Sequence, residues 1–204
     1  MNEGIKTLVV SKKISKEDKY IPGGWLKKLY EAVDNPRDKA YIMFHAETGL
    51  RVSDIVGVKK KGGKRLPGVE VHNIDWENNR VYAYDHKKDK WRWVYFPEKV
   101  RSVLKMYLLY RQKAGIRGRE LFYMSEKTCN RVLKRWCKRI GFPYADLVGS
   151  HWLRHTFIRL SRRAGRDIKA VQQNTGDSVK TILEWYSELD REAMRQELDE
   201  KPLI

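Results

Sequence analysis

The hydrophobic and polar positions of the chain follow two different periods, which predicts a helical protein with one small sheet. Over most of the chain, apolar residues recur every three or four positions, as they do on one face of an α-helix. Helices are predicted at Trp25–Val33, Arg37–Thr48, a short stretch from Val52, a long segment from Pro97-Glu98, Lys127–Ile140, His151–Ala164, Asp167–Gln173, Ser178–Tyr186 and in the tail that follows. Gly49, directly after the second of these segments, is the residue type that most often ends a helix.

Residues 68–97 differ from the rest because β-branched and aromatic residues are concentrated there, with turn residues between them. Turns are expected at Glu77-Asn78-Asn79 and at Lys87–Lys90, so the segment predicts a three-stranded antiparallel meander. Trp91, Trp93 and Tyr95 alternate at period two, and this stripe is predicted to face the core rather than to stack on bases. The predicted fold class is therefore α+β, mostly helical with a small three-stranded antiparallel sheet.

The charge of the chain points to a polyanionic partner. Its 204 residues include 43 Lys or Arg and 26 Asp or Glu, for a net charge of +17, and nucleic acid is the leading candidate. A membrane surface is the alternative, but the basic residues are spread through the chain rather than gathered in one amphipathic segment. No apolar run approaches the ~20 residues that span a bilayer, and the N-terminus lacks the pattern of a secretory signal.

The two cysteines, Cys129 and Cys137, form neither a disulfide framework nor a zinc pattern. They suit a reducing interior, so a cytoplasmic location is predicted, associated with the nucleoid when the protein is bound to DNA.

Four short patterns carry candidate chemistry: TGLRVSD at residues 48–54, KKDKWR at 87–92, HWLRHTF at 151–157, and TGDS at 175–178 with Tyr186 beyond it. Each is weak alone, since an arginine after a turn or a lysine at a hairpin tip is usually just solvated. Together they supply what phosphoryl transfer without a metal requires. Arginines bind phosphate oxygens, a lysine protonates a leaving alkoxide, and a tyrosine attacks phosphorus to form a covalent phosphodiester. No Asp/Glu cluster with two-metal spacing is apparent, which disfavours a magnesium-dependent nuclease.

In this order, the four patterns resemble the boxes of the tyrosine recombinase family (lambda integrase and Xer type), over roughly Trp25 to Tyr186. The resemblance implies the DNA breaking-rejoining fold and no cofactor or metal. It assigns the catalytic roles to Arg51 and Arg154 as phosphate-binding arginines, His151 as a phosphate ligand and proton acceptor, Lys87 as the acid for the leaving oxygen, and Tyr186 as the nucleophile. Lys88 and Lys90 remain alternatives to Lys87.

Two aspartates are expected to support the arginines. Asp54 lies three residues after Arg51, so on a helix it could hold that guanidinium in place. Asp177 stands where the family usually has histidine or tryptophan, and an ionised carboxylate cannot donate a hydrogen bond to phosphate. It is therefore predicted to cap the last helix or to contact the catalytic arginines or lysine, without binding phosphate itself. His155 is expected to be a buried residue that orients its neighbours.

The resemblance implies strand exchange in DNA through a 3′-phosphotyrosyl intermediate. The expected partners are double-stranded DNA and further copies of the chain in a synaptic tetramer, with no membrane and no small-molecule substrate. Residues 1–204 are expected to form one catalytic domain without the family's N-terminal DNA-clamping domain. Residues 1–20 are an N-terminal segment, and 187–204 an acidic tail that docks on a neighbouring copy. Two alternatives stay open: strand relaxation of the type IB topoisomerase kind, and a DNA-binding module with weakened catalysis.

Overall fold

The computed structural model describes residues 19–59, 62–63 and 65–184. In chain order its elements are α1 (Gly23–Ala32), α2 (Pro36–Thr48), α3 (Val52–Val56), β1 (Val58–Lys59), β2 (Arg65–Leu66), a 3₁₀ turn (Val71–Asn73), β3 (Ile74–Asp75), β4 (Arg80–Asp85), β5 (Lys90–Tyr95), α4 (Glu98–Lys113), α5 (Glu126–Arg139), α6 (Ser150–Arg163), α7 (Ile168–Thr175) and α8 (Val179–Glu184). These bounds confirm the predicted α+β class. The short β1–β2 hairpin is an addition that the pattern does not predict, and the predicted tail helix lies outside the described residues.

Helix α2 forms the centre of the hydrophobic core. It is buried on almost every side and packs against α4 and α6. On α4, Val100, Leu104 and Tyr107 are buried in this core, and Val103 and Leu108 are partly buried against it. None of the helices in the described part of the chain combines the length and the apolar character needed to cross a membrane.

The two ends of α2 are fixed by local chemistry. Asn35 caps the first turn, where its side-chain oxygen accepts the backbone N–H of Asp38 at 3.1 Å. Gly49 ends the helix in the left-handed region with φ 66°, which a residue with a side chain rarely adopts. A Cβ at Gly49 would lie 2.4 Å from the ring of Phe157 on α6. The backbone at Gly49 therefore lies directly against α6, two residues before Arg51.

The first turn of α6 is held by a residue of α5. Gly149 precedes the helix and offers no side-chain cap, but the side-chain oxygen of Asn130 accepts hydrogen bonds from the backbone N–H and the hydroxyl of Ser150, both at 2.7 Å. The hydroxyl of Tyr41 on α2 also lies 3.3 Å from that of Ser150. These contacts fix the helix that carries two of the predicted site residues.

The sheet is antiparallel in the order β3-β4-β5, which confirms the predicted meander. The prediction for its faces, however, is wrong. Strand register pairs Tyr82 with Trp93 and Tyr84 with Trp91, and this aromatic face is turned outward. Trp91 and Tyr95 are each 46% exposed.

The inward face of the sheet carries smaller side chains and two charged ones: Val81, Ala83, Val94, Asp85 and Arg92. Helix α3 packs on β4 and α7 packs on β5, so helices cover this face. On the outer face the aromatic rings cover one another instead, as in the stacked pair Tyr82–Trp91 with ring centroids 5.1 Å apart.

Candidate active site

Three of the predicted site residues meet in space although they lie far apart in the sequence. Arg51 Nη2 donates to one carboxylate oxygen of Asp177 at 2.7 Å, and Arg154 Nη2 contacts the other at 2.5 Å. One carboxylate therefore joins the two arginines that the sequence predicts as phosphate ligands, and we call these three residues the arginine clamp. Tyr186 and the tail 187–204 lie outside the described residues.

Arg154 is the more deeply buried of the two arginines, with 6% of its side chain exposed. Its Nη1 donates to the carbonyl of Gly49 at 2.5 Å, and its Nη2 donates to that of Thr175 at 2.9 Å. Burial lowers the pKa of Arg154 from its ordinary value, while the contact with Asp177 opposes the change. The guanidinium is thus fixed by backbone at both ends of its fork, which makes its geometry rigid.

Arg51 has a second carboxylate partner that sequence reasoning missed. Its Nη1 donates to both oxygens of Asp85, at 3.1 and 3.0 Å. The side chain of Asp85 is fully buried, and one of its oxygens also accepts the backbone N–H groups of Lys87 and Lys88, at 3.1 and 3.0 Å. Burial alone would raise the pKa of Asp85, but the charge of Arg51 and the N–H of Lys88 outweigh it and leave that pKa below its ordinary value.

Arg92 connects the hairpin to the end of α7. Its guanidinium donates to the carbonyls of Gln173 at 3.0 Å, Asn174 at 2.5 Å and Thr175 at 3.2 Å. These carbonyls have no partner further along the helix, so a buried cation satisfies them. Its Nε also lies 3.7 Å from Asp85. The hairpin turn, the clamp and the chain leading to α8 are therefore joined through two charged side chains.

Gly176 lies where these groups come closest. Its φ is 70°, and a Cβ there would lie 2.8 Å from a carboxylate oxygen of Asp85 and 2.9 Å from Nε of Arg92. The backbone must pass this point without a side chain, because the ion pair fills the space.

Gly176→Ala is expected to destabilise the protein by clearly more than the roughly 1–2 kcal/mol that a left-handed residue costs, because the new methyl group also displaces Asp85 or Arg92. The free energy of unfolding in urea measures the effect. Gly165→Ala is the matched control, since Gly165 has φ 69° and open space around its Cβ position. Equal losses in the two variants would contradict the crowding at Gly176.

The predicted lysine and histidine are both exposed. Lys87 lies in the turn between β4 and β5, and its backbone N–H is bound to Asp85, so the turn is anchored beside the clamp. Lys88 and Lys90 are exposed as well, and the choice of Lys87 among the three stays a prediction. His151 lies in the first turn of α6, one turn before Arg154.

The contact predicted for Asp54 is wrong. Its Oδ1 accepts the hydroxyl of Ser53 at 3.3 Å and the backbone N–H of His86 at 3.2 Å, while Asp85 holds Arg51 instead. Burial raises the pKa of Asp54, and the hydrogen bond from His86 limits the rise. Asp54 thus supports the hairpin turn from α3 and acts on the clamp only at a distance.

Two roles are predicted for Asp177. In the structure its carboxylate contacts the arginines, and it does not cap the helix that follows. The hydroxyl of Ser178 accepts the backbone N–H of Thr181 at 3.1 Å, so Ser178 caps α8.

Two histidines lie partly or fully inside the protein near the clamp. Burial is the largest reason why the pKa of His155 falls to about 4, followed by the charges of His151 and Arg154. Burial likewise lowers the pKa of His45 to about 3, and its Nδ1 lies 3.1 Å from the hydroxyl of Tyr41. Both rings are therefore neutral at neutral pH.

Two guanidinium groups that converge on one carboxylate can bind a tetrahedral oxyanion in the same place. Arginine forks match carboxylate and phosphate oxygens with similar geometry, and the low-dielectric surroundings strengthen the attraction. Within residues 19–59, 62–63 and 65–184, no three His, Cys, Asp or Glu side chains form a group that could hold a metal ion.

Both the sequence and the fold are similar to those of known proteins. The sequence profile of the phage integrase family matches residues 20–193. The tyrosine recombinase XerA of Saccharolobus solfataricus is 28% identical over 182 residues, which cover 89% of this chain and 56% of that protein. The chain spans about half the length of the curated relatives it matches.

Two solved structures share the fold. A crystal structure of XerA recombinase superposes with a TM-score of 0.70 at 26% identity, and the match covers 89% of this chain and 64% of that one. The XerH site-specific recombinase, bound to its difH substrate before cleavage, gives a TM-score of 0.66 at 19% identity, with 86% of this chain and 52% of the other covered.

Proposed function

Because the chain belongs to the phage integrase family, we propose that it cuts and rejoins DNA through a covalent 3′-phosphotyrosyl intermediate and exchanges strands between two duplexes. The observation that carries the proposal is the convergence of Arg51 and Arg154 on one carboxylate. Two rigid guanidinium groups at this spacing are suited to stabilise the charge that develops on phosphate oxygens in the transition state.

In the proposed reaction Tyr186 attacks the scissile phosphorus, so that a bond to the tyrosine oxygen forms while the bond to the 5′-oxygen breaks. His151 accepts the tyrosine proton, and Lys87 gives a proton to the leaving 5′-oxygen. Arg51 and Arg154 hold the non-bridging oxygens throughout. A 5′-hydroxyl from the partner strand then reverses the same steps.

The proposed partners are double-stranded DNA and further copies of the chain. A net charge of +17 supports binding to the phosphate backbone, which supplies most of the affinity of such proteins. The XerH recombinase in the comparison is bound to its difH substrate. We propose that residues 187–204, which are acidic and carry several apolar residues, contact a neighbouring copy in a synaptic tetramer.

The test is whether the full chain forms a covalent adduct with DNA. Duplexes carrying a 5′-bridging phosphorothiolate at each candidate site trap the intermediate, because the sulfur leaving group cannot reverse the reaction. A band that survives denaturation in SDS and disappears after protease treatment is the expected result. A second assay with two differently labelled duplexes measures strand exchange.

The outcomes separate the three possible functions. Adducts together with exchanged strands support a recombinase, whereas adducts with supercoil relaxation and without exchange support the topoisomerase alternative. Tight DNA binding without any adduct, on substrates that a Xer relative cleaves, would leave only a DNA-binding module.

A further inference from the structure

Arg51 contacts two aspartates that are held in very different ways. The side chain of Asp85 is completely buried, whereas 15% of the side chain of Asp177 is exposed. Asp85 lies at the end of β4 and Asp177 lies in the short connection between α7 and α8. Because the two carboxylates differ in burial and in position, we expect them to have different roles at Arg51.

Asp85 is fixed by donors that do not change with the ligand. Its oxygens accept two backbone N–H groups of the hairpin turn, from Lys87 and Lys88, in addition to the guanidinium of Arg51. The backbone at Gly176 passes close to the carboxylate, since a Cβ there would lie 2.8 Å from one of its oxygens. If the Asp85 side chain moved away from Arg51, its hydrogen bonds with the backbone of the hairpin turn would be lost as well.

Asp177 is held by two arginine side chains rather than by backbone groups of the hairpin turn. One oxygen of its carboxylate accepts from Nη2 of Arg51, and the other lies 2.5 Å from Nη2 of Arg154. Its own backbone N–H donates to the hydroxyl of Thr175 at 3.2 Å, so the backbone can stay in place while the side chain turns. Unlike Asp85, Asp177 thus accepts from side chains, which can exchange it for another anion.

We propose that Asp177 occupies the place of the phosphate oxygens while DNA is absent and leaves the arginines when a phosphate binds, whereas Asp85 remains and positions Arg51 together with the hairpin turn. The inference rests on the proposed function for the identity of the phosphate as part of DNA. The donors that a phosphate needs are the ones that Asp177 uses, and two anions at hydrogen-bond distance repel each other.

The charges at the clamp explain why such an internal anion is useful. Arg154 is almost fully buried, and a buried cation without a partner is costly. Because Arg92 also lies 3.7 Å from Asp85, three guanidinium groups face two carboxylates while both aspartates are in place. When Asp177 turns away, Asp85 is the carboxylate that stays among these guanidinium groups, and the positive charge freed from Asp177 meets the phosphate. Asp177 thus stabilises the site while no phosphate is bound. It also lowers the apparent affinity for phosphate, because the state in which Asp177 has turned away must first be populated.

The experiment measures inorganic phosphate binding to the full chain by calorimetry and by the shift of Tm. Asp177→Asn keeps the size of the side chain and removes its charge. It is expected to bind phosphate at least about tenfold more tightly than the parent protein, a gain of about 1.4 kcal/mol, and to have a lower Tm without phosphate. Asp85→Asn is expected to bind phosphate more weakly than the parent, since Arg51 loses its orientation.

Asp34→Asn is the matched control, because it removes one negative charge from an exposed ion pair with Arg139 outside the clamp. Its phosphate affinity is expected to stay within about twofold of the parent value, as a change in net charge alone is largely screened. If Asp177→Asn gains no more than this control, the proposal is overturned. If Asp85→Asn gains as much as Asp177→Asn, the division of tasks is overturned. Should Asp85→Asn not fold, the comparison of Asp177→Asn with Asp34→Asn decides the main claim.

These results are independent of cleavage. Tighter phosphate binding by Asp177→Asn in a protein that forms no DNA adduct would support the internal anion and reject the proposed function. Adduct formation without the gain in phosphate affinity would support the proposed function and reject the internal anion.

Discussion

Replacing Tyr186 with phenylalanine is expected to remove covalent adduct formation with DNA, by a factor of at least about 10³, because the nucleophilic oxygen is lost. The aromatic ring remains, and the net charge of +17 does not change. Equilibrium binding to a duplex should therefore stay within about twofold of the parent value, since the affinity rests on contacts to phosphate groups. Adducts are counted on a denaturing gel and binding by fluorescence anisotropy.

Tyr110→Phe is the matched control for this variant. Tyr110 is an exposed residue of α4, so the same loss of a hydroxyl should change neither quantity. An adduct that persists in Tyr186→Phe would assign the nucleophile to another residue, and peptide mapping of the adduct would then identify it.

Replacing Arg154 with alanine is expected to have the second large effect, on both stability and catalysis. The carbonyl of Gly49 loses the donor from Arg154, that of Thr175 keeps only Arg92 of its two arginine donors, and Asp177 loses one of its two cations. Breaking a buried ion pair in this way typically costs about 3–5 kcal/mol. DNA cleavage should fall by a factor of about 10²–10³ or more in protein that is still folded, as for other preorganised donors to a reacting oxyanion.

Arg154→Lys separates the two effects. Lysine keeps the positive charge but lacks the planar fork, so it can replace only part of the hydrogen bonding. We expect most of the stability to return while cleavage stays at least about a hundredfold below the parent rate. Arg131→Ala, at an exposed position of α5, is the control and should change the free energy of unfolding by no more than about 0.5 kcal/mol. Full cleavage by Arg154→Lys would mean that charge alone is needed there.

The fold could be predicted largely because most of the long helices carry an apolar stripe, and because α2, which is buried on almost every side, ends at a recognisable glycine. The sheet faces could not, since β4 and β5 are apolar or aromatic on both sides. Hydrophobicity favours Trp91 and Trp93 as core residues over Ala83, but the opposite face is the one that α3 and α7 cover. Which face the helices cover decides this choice, and that is a property of the assembled fold rather than of the strand.

For the site, the motifs were sufficient for the arginines and insufficient for their carboxylate partners. Asp54 is near Arg51 in sequence, which made it the natural candidate. Asp85 is 34 positions away from Arg51 and reaches it only because β4 is oriented with that residue inward. One signal was available: an inward-facing aspartate on the same strand face as Val81 and Ala83 must have a buried cation as its partner. This signal can be used only once the strand register, and with it the inward face of β4, is known.

The contacts of Arg92 with the end of α7 have a consequence for protein engineering. This side chain joins the turn that contains Lys87 to the segment that leads towards Tyr186, through the carbonyls of Gln173, Asn174 and Thr175. Chimaeras assembled from family members should therefore take residues 80–95 and 168–178 from the same parent. A crossover placed between them would combine a hairpin and a helix end from different parents. The hydrogen bonds from Arg92 to the end of α7 would then no longer be matched in length and direction.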